Sequence, residues 1–286
     1  MEEWLLNDSK WTWRFVCLIS IAATLIFIVG FGYAVKDIVY PQGDAPLTSL
    51  PQKTGAPDEE VTGILKVVAI GDSLAKGTGD NTGSGFVKRA VEGMSEGDQE
   101  VNLLGNLGIN GLTTLGLQSE LNEEGVKYTL RQANTILVSI GGNDLFRGAG
   151  IVQSNRNTSP PSSDEPPAPT DELTSKELLA ALPEASKRLE EALRKIAEIN
   201  PEARIYFLGL YNPFGDIPEL RVPGNQAVTA WNNAAMDIIN THNNMTLVPT
   251  FDLFHNHLGK YLSTDHFHPN GDGYQRIADR IIQAVQ

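Results

Sequence analysis

Short apolar runs that end abruptly, accompanied by helical patterns, constrain the fold of this chain more than any other feature of its sequence. The runs cover residues 65–70, 101–104, 135–140 and 205–210. Each has the length and branching of a buried parallel strand. Helical patterns occur between and after them, most clearly at residues 183–199 and 274–285, where apolar residues recur every three or four positions. Alternating strands and helices predict a parallel sheet covered on both faces, a three-layer α/β/α fold.

The N-terminal segment holds a much longer apolar run. Residues 15–35 contain no charged side chain, and Arg14 and Lys36 bracket them. At 1.5 Å per residue, a helix of this length spans about the 30 Å hydrocarbon core of a bilayer. We therefore predict a short N-terminal segment at 1–14 and a transmembrane anchor at 15–35. A cleaved signal peptide and a buried helix are the alternatives, although Gly32-Tyr33-Ala34 is a weak match to a cleavage site.

The remaining chain divides into a tether and one domain. Residues 36–62 are predicted to form a flexible tether, because residues 41–62 are rich in Pro, Gly, Ser, Thr and acidic side chains without apolar periodicity. Residues 63–286 suffice for one domain with a substantial core. Two basic residues, Lys10 and Arg14, precede the apolar run, against Lys36 after it. This weak bias predicts a single-pass protein of the cell membrane with its domain on the extracytoplasmic side.

Charge and cysteine content exclude several classes of function. The formal net charge is −13, and because residues 1–40 hold three basic and four acidic residues, the rest of the chain carries −12. Such a field repels nucleic acid and anionic lipid surfaces. Cys17, the only cysteine, lies within the apolar run. The folded domain therefore has neither a disulfide nor a thiol nucleophile.

Polar or glycine-rich motifs follow three of the predicted strands. Ser73 comes directly after the first strand, Gly111 a few residues after the second, and Asn143 directly after the third. Ligands of open α/β sheets bind outside the carboxyl ends of the strands, so we expect these three residues at one edge. His268 lies in a loop before the final helix, three residues after Asp265. We expect this loop to reach the same edge.

These residue types suit acyl transfer, which needs a nucleophile, a base, a carboxylate that orients the base, and donors for the developing oxyanion. Ser73 is the candidate nucleophile, and His268 is a candidate base that Asp265 is near enough in sequence to orient. Two glycines before Asn143 can leave its side-chain amide free to donate. Each residue also has a structural interpretation, Ser73 as a helix N-cap, Gly111 as a turn glycine and Asn143 as an Asx-turn residue.

A metal site is an alternative interpretation of the histidines. Imidazoles and carboxylates that are close in the sequence are zinc ligands in many hydrolases. The residues concerned are His255, His257, His266, His268, Asp252 and Asp265. A metal-dependent hydrolase would leave Ser73, Gly111 and Asn143 without a role.

Four segments, taken in order, resemble the signature blocks of the GDSL lipase/esterase family, also called SGNH hydrolases. They are residues 71–74 (Gly-Asp-Ser-Leu), 106–111 (Asn-Leu-Gly-Ile-Asn-Gly), 141–144 (Gly-Gly-Asn-Asp) and 265–269 (Asp-His-Phe-His-Pro). The resemblance extends from about residue 66 to the C-terminus. It implies a doubly wound, flavodoxin-like parallel sheet and a catalytic triad of Ser73, His268 and Asp265. It further implies an oxyanion hole formed by the N–H groups of Ser73 and Gly111 with the Asn143 amide, and no metal or organic cofactor.

The implied activity is hydrolysis of carboxylic esters. The family includes lipases, lysophospholipases, thioesterases, arylesterases and carbohydrate deacetylases, and the sequence does not select among them. A membrane tether favours lipid or cell-envelope esters as substrates. A catalytically idle module that binds a cell-surface ligand on the same fold is an alternative of a different class.

One segment departs from a minimal domain of this family. Residues 151–172 are loaded with Pro, Ser and acidic side chains and directly follow the third motif. Such a composition cannot bury a core, so we expect an insertion that is mobile. Its interpretations are a tolerated surface insertion, a lid over the site and a segment that docks a partner.

Overall fold

The computed structural model describes residues 3–39, 63–96, 99–146 and 175–285. The chain divides into two units, residues 1–58 and 59–286, each of which is described by itself. The described part of the first unit is one helix, α1 (Glu3–Val39). Its Trp13–Phe31 stretch has a mean hydropathy of 2.3 and is long and apolar enough to cross a membrane. A signal sequence near an N-terminus meets the same criterion, so α1 is consistent with either kind of segment.

Helix α1 extends beyond both ends of the predicted span at 15–35. It includes most of the predicted N-terminal segment and the first four residues of the predicted tether. The rest of that tether, residues 40–62, lies outside the described residues, as does the predicted insertion at 151–172. Trp11 and Trp13 are exposed at the N-terminal end of the apolar stretch, where tryptophan suits a boundary between lipid and water.

The second unit alternates strands and helices along its described residues. Its strands are β1 (Ile64–Gly71), β2 (Glu100–Gly108), β3 (Thr135–Ser139), β4 (Arg204–Leu208) and β5 (Met245–Val248). Its helices are α2 (Ser73–Lys76), α3 (Gly85–Met94), α4 (Thr114–Glu120), α5 (Glu124–Arg131), α6 (Gly142–Phe146), α7 (Ser175–Ala180), α8 (Leu182–Ile199), α9 (Pro218–Ile239), α10 (Phe251–Phe254), α11 (Leu258–Tyr261) and α12 (Gly271–Val285). The strands form one parallel sheet in the order β2-β1-β3-β4-β5. This is the doubly wound, flavodoxin-like order, which confirms the predicted fold class.

Each face of the sheet is covered by its own helices. In β1, Val68 and Ile70 point to the face packed by α4, α5, α7, α8 and α9. Val67 and Ala69 point to the opposite face, packed by α3, α10, α11 and α12. The central strands are buried on both faces because they are β-branched and apolar at nearly every position.

Two strands differ from the sequence prediction. Strand β2 runs four residues past the predicted end at 104, because its backbone continues to pair with β1 through Gly105 and Asn106, residue types that are rare in strands. It also forms an edge of the sheet, so its residues alternate between exposed and half-buried instead of being buried as expected. The sequence does not predict strand β5, because four residues are too few for a periodicity to stand out.

The carboxyl ends of β1 and β3 lie side by side at the centre of the sheet. The chain leaves β1 toward β2 on one side and leaves β3 toward β4 on the other. The Asp72 N–H, just beyond β1, donates to the Ser139 carbonyl at the end of β3 over 2.9 Å. In open α/β sheets this switch in direction forms the crevice where ligands bind.

Candidate active site

Ser73 begins the short helix α2 at the carboxyl end of β1. The N-cap of that helix is Asp72, whose Oδ1 accepts the backbone N–H of Leu74 over 3.0 Å. The Ser139 hydroxyl donates to the same oxygen over 3.0 Å. Because Asp72 caps the helix, the N-cap interpretation of Ser73 is wrong. Ser73 instead lines a pocket at the carboxyl end of β1.

Ser73, His268 and Asp265 form a continuous hydrogen-bonded chain. The Ser73 Oγ lies 2.8 Å from His268 Nε2. On the other side of the imidazole ring, Nδ1 lies 2.6 Å from Asp265 Oδ2. The His268 side chain is 17% exposed and that of Asp265 is 44% exposed. The structure therefore brings together the three residues that the sequence analysis selected.

The loop before α12 holds Asp265 by several donors. Its Oδ1 accepts the Ser263 hydroxyl over 2.7 Å and the backbone N–H groups of Phe267 and His268 over 3.0 and 2.9 Å. Partial burial tends to raise the pKa of Asp265, but the hydrogen bonds from His268, Ser263 and the backbone outweigh it and hold this pKa below its usual range. The carboxylate is thus ionised at neutral pH, as an acceptor for an imidazole N–H needs to be.

The sequence does not identify two further residues that support this loop. Ser263 has the ordinary spacing of a turn residue before Asp265, so it gave no separate signal. Tyr211, beyond the end of β4, donates its hydroxyl to the Phe267 carbonyl over 2.8 Å. It also stacks on Phe254 with ring centroids 4.0 Å apart. Because Tyr211 lies far from Phe267 in the sequence, no local pattern indicates this contact.

Asn143 lies in the first turn of α6 and lines the same pocket as Ser73. Its Nδ2 donates to the Leu112 carbonyl over 2.9 Å. Since an amide nitrogen carries two hydrogens, this bond leaves one of them for another acceptor. One of the two amide hydrogens is therefore already donated, whereas the sequence analysis expects the whole amide to be free to donate.

The next residue of α6 fixes the start of α4. The Asp144 carboxylate accepts the Thr114 N–H over 2.9 Å and the Thr114 hydroxyl over 2.6 Å. Arg188 of α8 donates to the same hydroxyl over 3.0 Å. Together with the bond from Asn143 to Leu112, these contacts attach the segment after β2 to the end of β3.

Gly111 lies in that segment, three residues after β2, with a φ of 77°. Such a conformation favours glycine, as the turn interpretation requires. The preceding residue, Asn110, accepts the hydroxyl of Thr78 over 2.8 Å, and the following one, Leu112, accepts the Asn143 amide. Gly111 itself is absent from the lining of the pocket beside Ser73. In the described part of the chain, neither its N–H nor that of Ser73 is donated to another protein group.

The pocket beside Ser73 is lined by both polar and apolar side chains. Its polar side chains are Asp72, Ser73, Asn143 and His268. Its other side chains are Leu74, Phe146, Leu210, Tyr211, Pro213 and Phe267. Burial raises the pKa of Asp72 to about 6, although its hydrogen bonds to Leu74 and Ser139 act in the opposite direction.

The residues considered as a zinc site do not converge. Across residues 3–39, 63–96, 99–146 and 175–285, no group of three or more His, Cys, Asp or Glu is placed to hold a metal ion. Asp252 instead pairs with Arg280 over 2.7 Å, and His255 and His266 are exposed. The metal alternative therefore lacks its ligand set within the described residues.

Comparisons with known proteins agree with this geometry. A model described as the GDSL-like lipase/acylhydrolase family matches residues 69–276. The chain is 28% identical to an uncharacterized protein, YpmR of Bacillus subtilis, over 84% of this chain and 88% of that one. It is 27% identical to the spore germination lipase LipC of Bacillus licheniformis, over 77% of this chain and 96% of that one. The crystal structure of the lipase Lip_vut3 from a goat rumen metagenome has the same fold, with a TM-score of 0.61, 24% identity and coverage of 77% and 97%.

Proposed function

Because the chain belongs to the GDSL-like lipase/acylhydrolase family, we propose that it is a serine esterase that hydrolyses carboxylic esters through Ser73, His268 and Asp265. One observation carries the proposal, the hydrogen-bonded chain from the Ser73 hydroxyl through the His268 ring to the Asp265 carboxylate. A serine hydroxyl is a weak nucleophile by itself. A neutral imidazole within hydrogen-bond distance activates it by taking its proton.

The proposed reaction has two steps. Ser73 Oγ attacks the ester carbonyl carbon while its proton moves to His268 Nε2, and the tetrahedral intermediate collapses as that proton passes to the departing alcohol oxygen. Water then attacks the acyl-serine, His268 again takes a proton and returns it to Ser73, and the carboxylic acid leaves. Asp265 keeps the ring oriented through Nδ1 and stabilises the imidazolium that forms in each step.

We propose three donors for the oxyanion, the backbone N–H groups of Ser73 and Gly111 and the second amide hydrogen of Asn143. The Asn143 amide lines the pocket with Ser73. The residues on either side of Gly111 are held in place: Asn110 accepts the hydroxyl of Thr78, and Leu112 accepts the amide of Asn143. Donors held in fixed positions stabilise the developing charge without reorganising during the reaction.

The substrate that we propose is an ester of a lipid or of the cell envelope. The support is α1, because a helix able to cross a membrane would hold the second unit near such esters. We propose that the helix is an uncleaved anchor and that the second unit lies on the extracytoplasmic side. Lysophospholipid and an acetylated polysaccharide represent the two substrate classes in a direct assay.

The test uses the full-length chain in detergent with a short-chain aryl ester. Ser73→Ala and His268→Ala should each abolish turnover, and a strong chelator should have no effect. Ser119→Ala, at an exposed serine of α4, and His255→Ala, at an exposed histidine, are matched controls that should retain full activity. Inactivation by the chelator together with an active Ser73→Ala variant would favour a metal hydrolase. Absence of turnover on every ester by a folded chain would favour an idle binding module.

A further inference from the structure

The loop between α2 and α3, residues 77–84, contacts both the proposed nucleophile and the proposed base. We propose that this loop, called here the spacer loop, sets the distance between Ser73 and His268, and that Gly79 is the positioning residue that contacts the base. The inference rests on the proposed function, because it concerns the geometry of that triad. It goes further by giving a role in the reaction to a glycine outside the triad and the proposed oxyanion hole.

The first support is the attachment of the spacer loop to the serine. The Ser73 carbonyl accepts the backbone N–H groups of Gly77 and Thr78 over 3.1 and 3.0 Å. These bonds end α2 one turn after the serine. The start of the spacer loop therefore has a fixed position relative to the Ser73 backbone.

The second support is the contact of Gly79 with the histidine. Gly79 has a φ of 94°, and a Cβ built on it would lie 2.8 Å from His268 Cβ and 2.6 Å from the Pro269 carbonyl oxygen. Favourable contacts between carbon atoms need about 3.5–4.0 Å. Because the Cβ of His268 is bonded directly to the backbone, a change of side-chain rotamer cannot relieve the overlap. A side chain at position 79 would therefore displace one of the two backbones.

The third support is that the spacer loop is held on both sides of Gly79. On one side, the Tyr274 hydroxyl donates to the Thr78 carbonyl over 2.7 Å. On the other side, the Asp80 carboxylate accepts the Arg89 guanidinium over 2.9 Å, and its side chain is only 1% exposed. We therefore expect the overlap to displace the histidine loop rather than the spacer loop.

The histidine loop is also closed on itself, which determines the consequence of such a displacement. The Ser263 N–H donates to the His268 carbonyl over 2.8 Å, and Asp265 Oδ2 lies 2.6 Å from His268 Nδ1. A shift of this loop carries Asp265 along with the imidazole. The contact that lengthens is the one between His268 Nε2 and the Ser73 hydroxyl.

The experiment compares Gly79→Ala with Gly83→Ala in the full-length chain in detergent. Gly83 lies in the same loop with a φ of 67°, but a Cβ there would meet nothing within 4 Å among the described residues. Both substitutions strain the backbone, since alanine is disfavoured at positive φ. Only Gly79→Ala adds an atom that overlaps with His268. The difference between the two variants therefore isolates the contact from the strain.

Gly79→Ala should lower kcat for an acetyl aryl ester on the order of 10²-fold, because a misplacement of about 1 Å can cost this much. KM should stay nearly unchanged, since His268 serves both steps of the proposed reaction. Gly83→Ala should lower the melting temperature and keep the wild-type kcat. The rate at which a small alkyl fluorophosphonate labels Ser73 should fall in Gly79→Ala alone, because that reaction also needs the base beside the serine.

Tyr274→Phe tests the spacer loop in a chain that keeps Gly79. It removes the donor to the Thr78 carbonyl, while the buried ring keeps its place beside Phe86. We expect kcat to fall several-fold with little change in KM. Tyr206→Phe, at a buried tyrosine of the same apolar cluster, is the matched control and should retain the wild-type kcat.

The outcomes separate the inference from the proposed function. Equal kcat in Gly79→Ala and Gly83→Ala, with an active wild-type chain, would overturn the role of Gly79. If Gly79→Ala fails to fold, a wild-type kcat in Tyr274→Phe would overturn the role of the spacer loop. Absence of labelling and of turnover on every ester by the wild-type chain would instead overturn the proposed function, and the inference with it.

Discussion

The Tyr211 hydroxyl donates to the backbone carbonyl of Phe267, the residue that directly precedes His268, over 2.8 Å. Tyr211 follows β4, whereas Phe267 lies in the loop before α12, so one hydrogen bond joins two separate parts of the chain at the active site. The tyrosine ring is buried and stacked on Phe254. The loop that carries the proposed base is therefore held by a hydrogen bond from another part of the chain as well as by the hydrogen bonds of its own turn.

Tyr211→Phe should lower kcat about fivefold and leave KM for a small ester nearly unchanged. The phenylalanine keeps the stacked ring but removes the donor, and a hydrogen bond of this kind contributes about 0.5–1.5 kcal/mol. Steady-state kinetics on an acetyl aryl ester provide the measurement. Tyr128→Phe, at an exposed tyrosine of α5, is the control. An unchanged kcat would mean that the Phe267 carbonyl does not need this partner.

Asn143→Ala should reduce kcat by about 10²–10³, equivalent to roughly 2.7–4 kcal/mol, if the amide contributes to the oxyanion hole. The substitution also removes the bond to the Leu112 carbonyl, so stability must be measured in parallel. Asn200→Ala is a matched control, because Asn200 is also buried and its amide donates to two backbone carbonyls far along the chain. It should lower the melting temperature without a comparable loss of kcat. Equal effects of both variants on kcat would mean that Asn143 has only a structural role.

Asp72→Asn should raise the free energy of unfolding above that of the wild type at pH 8. At pH 4 the increase should be much smaller. The folded-state pKa of Asp72 is raised to about 6 by burial, above its ordinary value of about 3.9. Between these values the folded chain binds more protons than the unfolded one, so the contribution of Asp72 to the free energy of unfolding falls as pH rises. The asparagine oxygen can still accept from Leu74 and Ser139, and the gain at pH 8 should be at most about 3 kcal/mol.

Urea unfolding at pH 4 and pH 8 measures this difference. Asp252→Asn gives the opposite sign for comparison, because Arg280 holds the pKa of Asp252 below its usual value and the substitution removes an ion pair that is present at neutral pH. An Asp72→Asn effect that is the same at both pH values would mean that this carboxyl is not protonated preferentially in the folded state.

Protease added to intact cells should release an active fragment that contains residues 63–286. This outcome follows from an anchor formed by α1 and from the composition of residues 40–62, which is rich in the residue types that proteases reach easily. Esterase activity in the supernatant and the N-terminal sequence of the fragment are the measurements. Cells permeabilised before digestion are the control. Protection in intact cells and cleavage only after permeabilisation would place the second unit in the cytoplasm.

Local sequence was sufficient for much of this fold. Strands β1, β3 and β4 could be predicted because strands buried on both faces are continuous apolar runs. The edge strand β2 extends through Gly105 and Asn106 because it pairs with β1, a contact that no local pattern encodes. The residues of the candidate site differ in the same way, because some positions follow from local sequence and others depend on contacts across the fold. The positions of Ser73 and His268 follow from turns after and before regular elements, whereas the contact between Tyr211 and Phe267 depends on the packed structure.

The two residues at the centre of the site, Ser73 and His268, are 195 positions apart. Ser73 follows the first strand of its unit, and His268 precedes the last helix, α12, which packs on α3. During synthesis the serine therefore emerges early and has no base until residues 265–285 have been made and α12 has docked. On the proposed mechanism, a polypeptide that ends before His268 is inert toward esters. Activity begins only when the chain through α12 has folded, after any transport across a membrane that requires it unfolded.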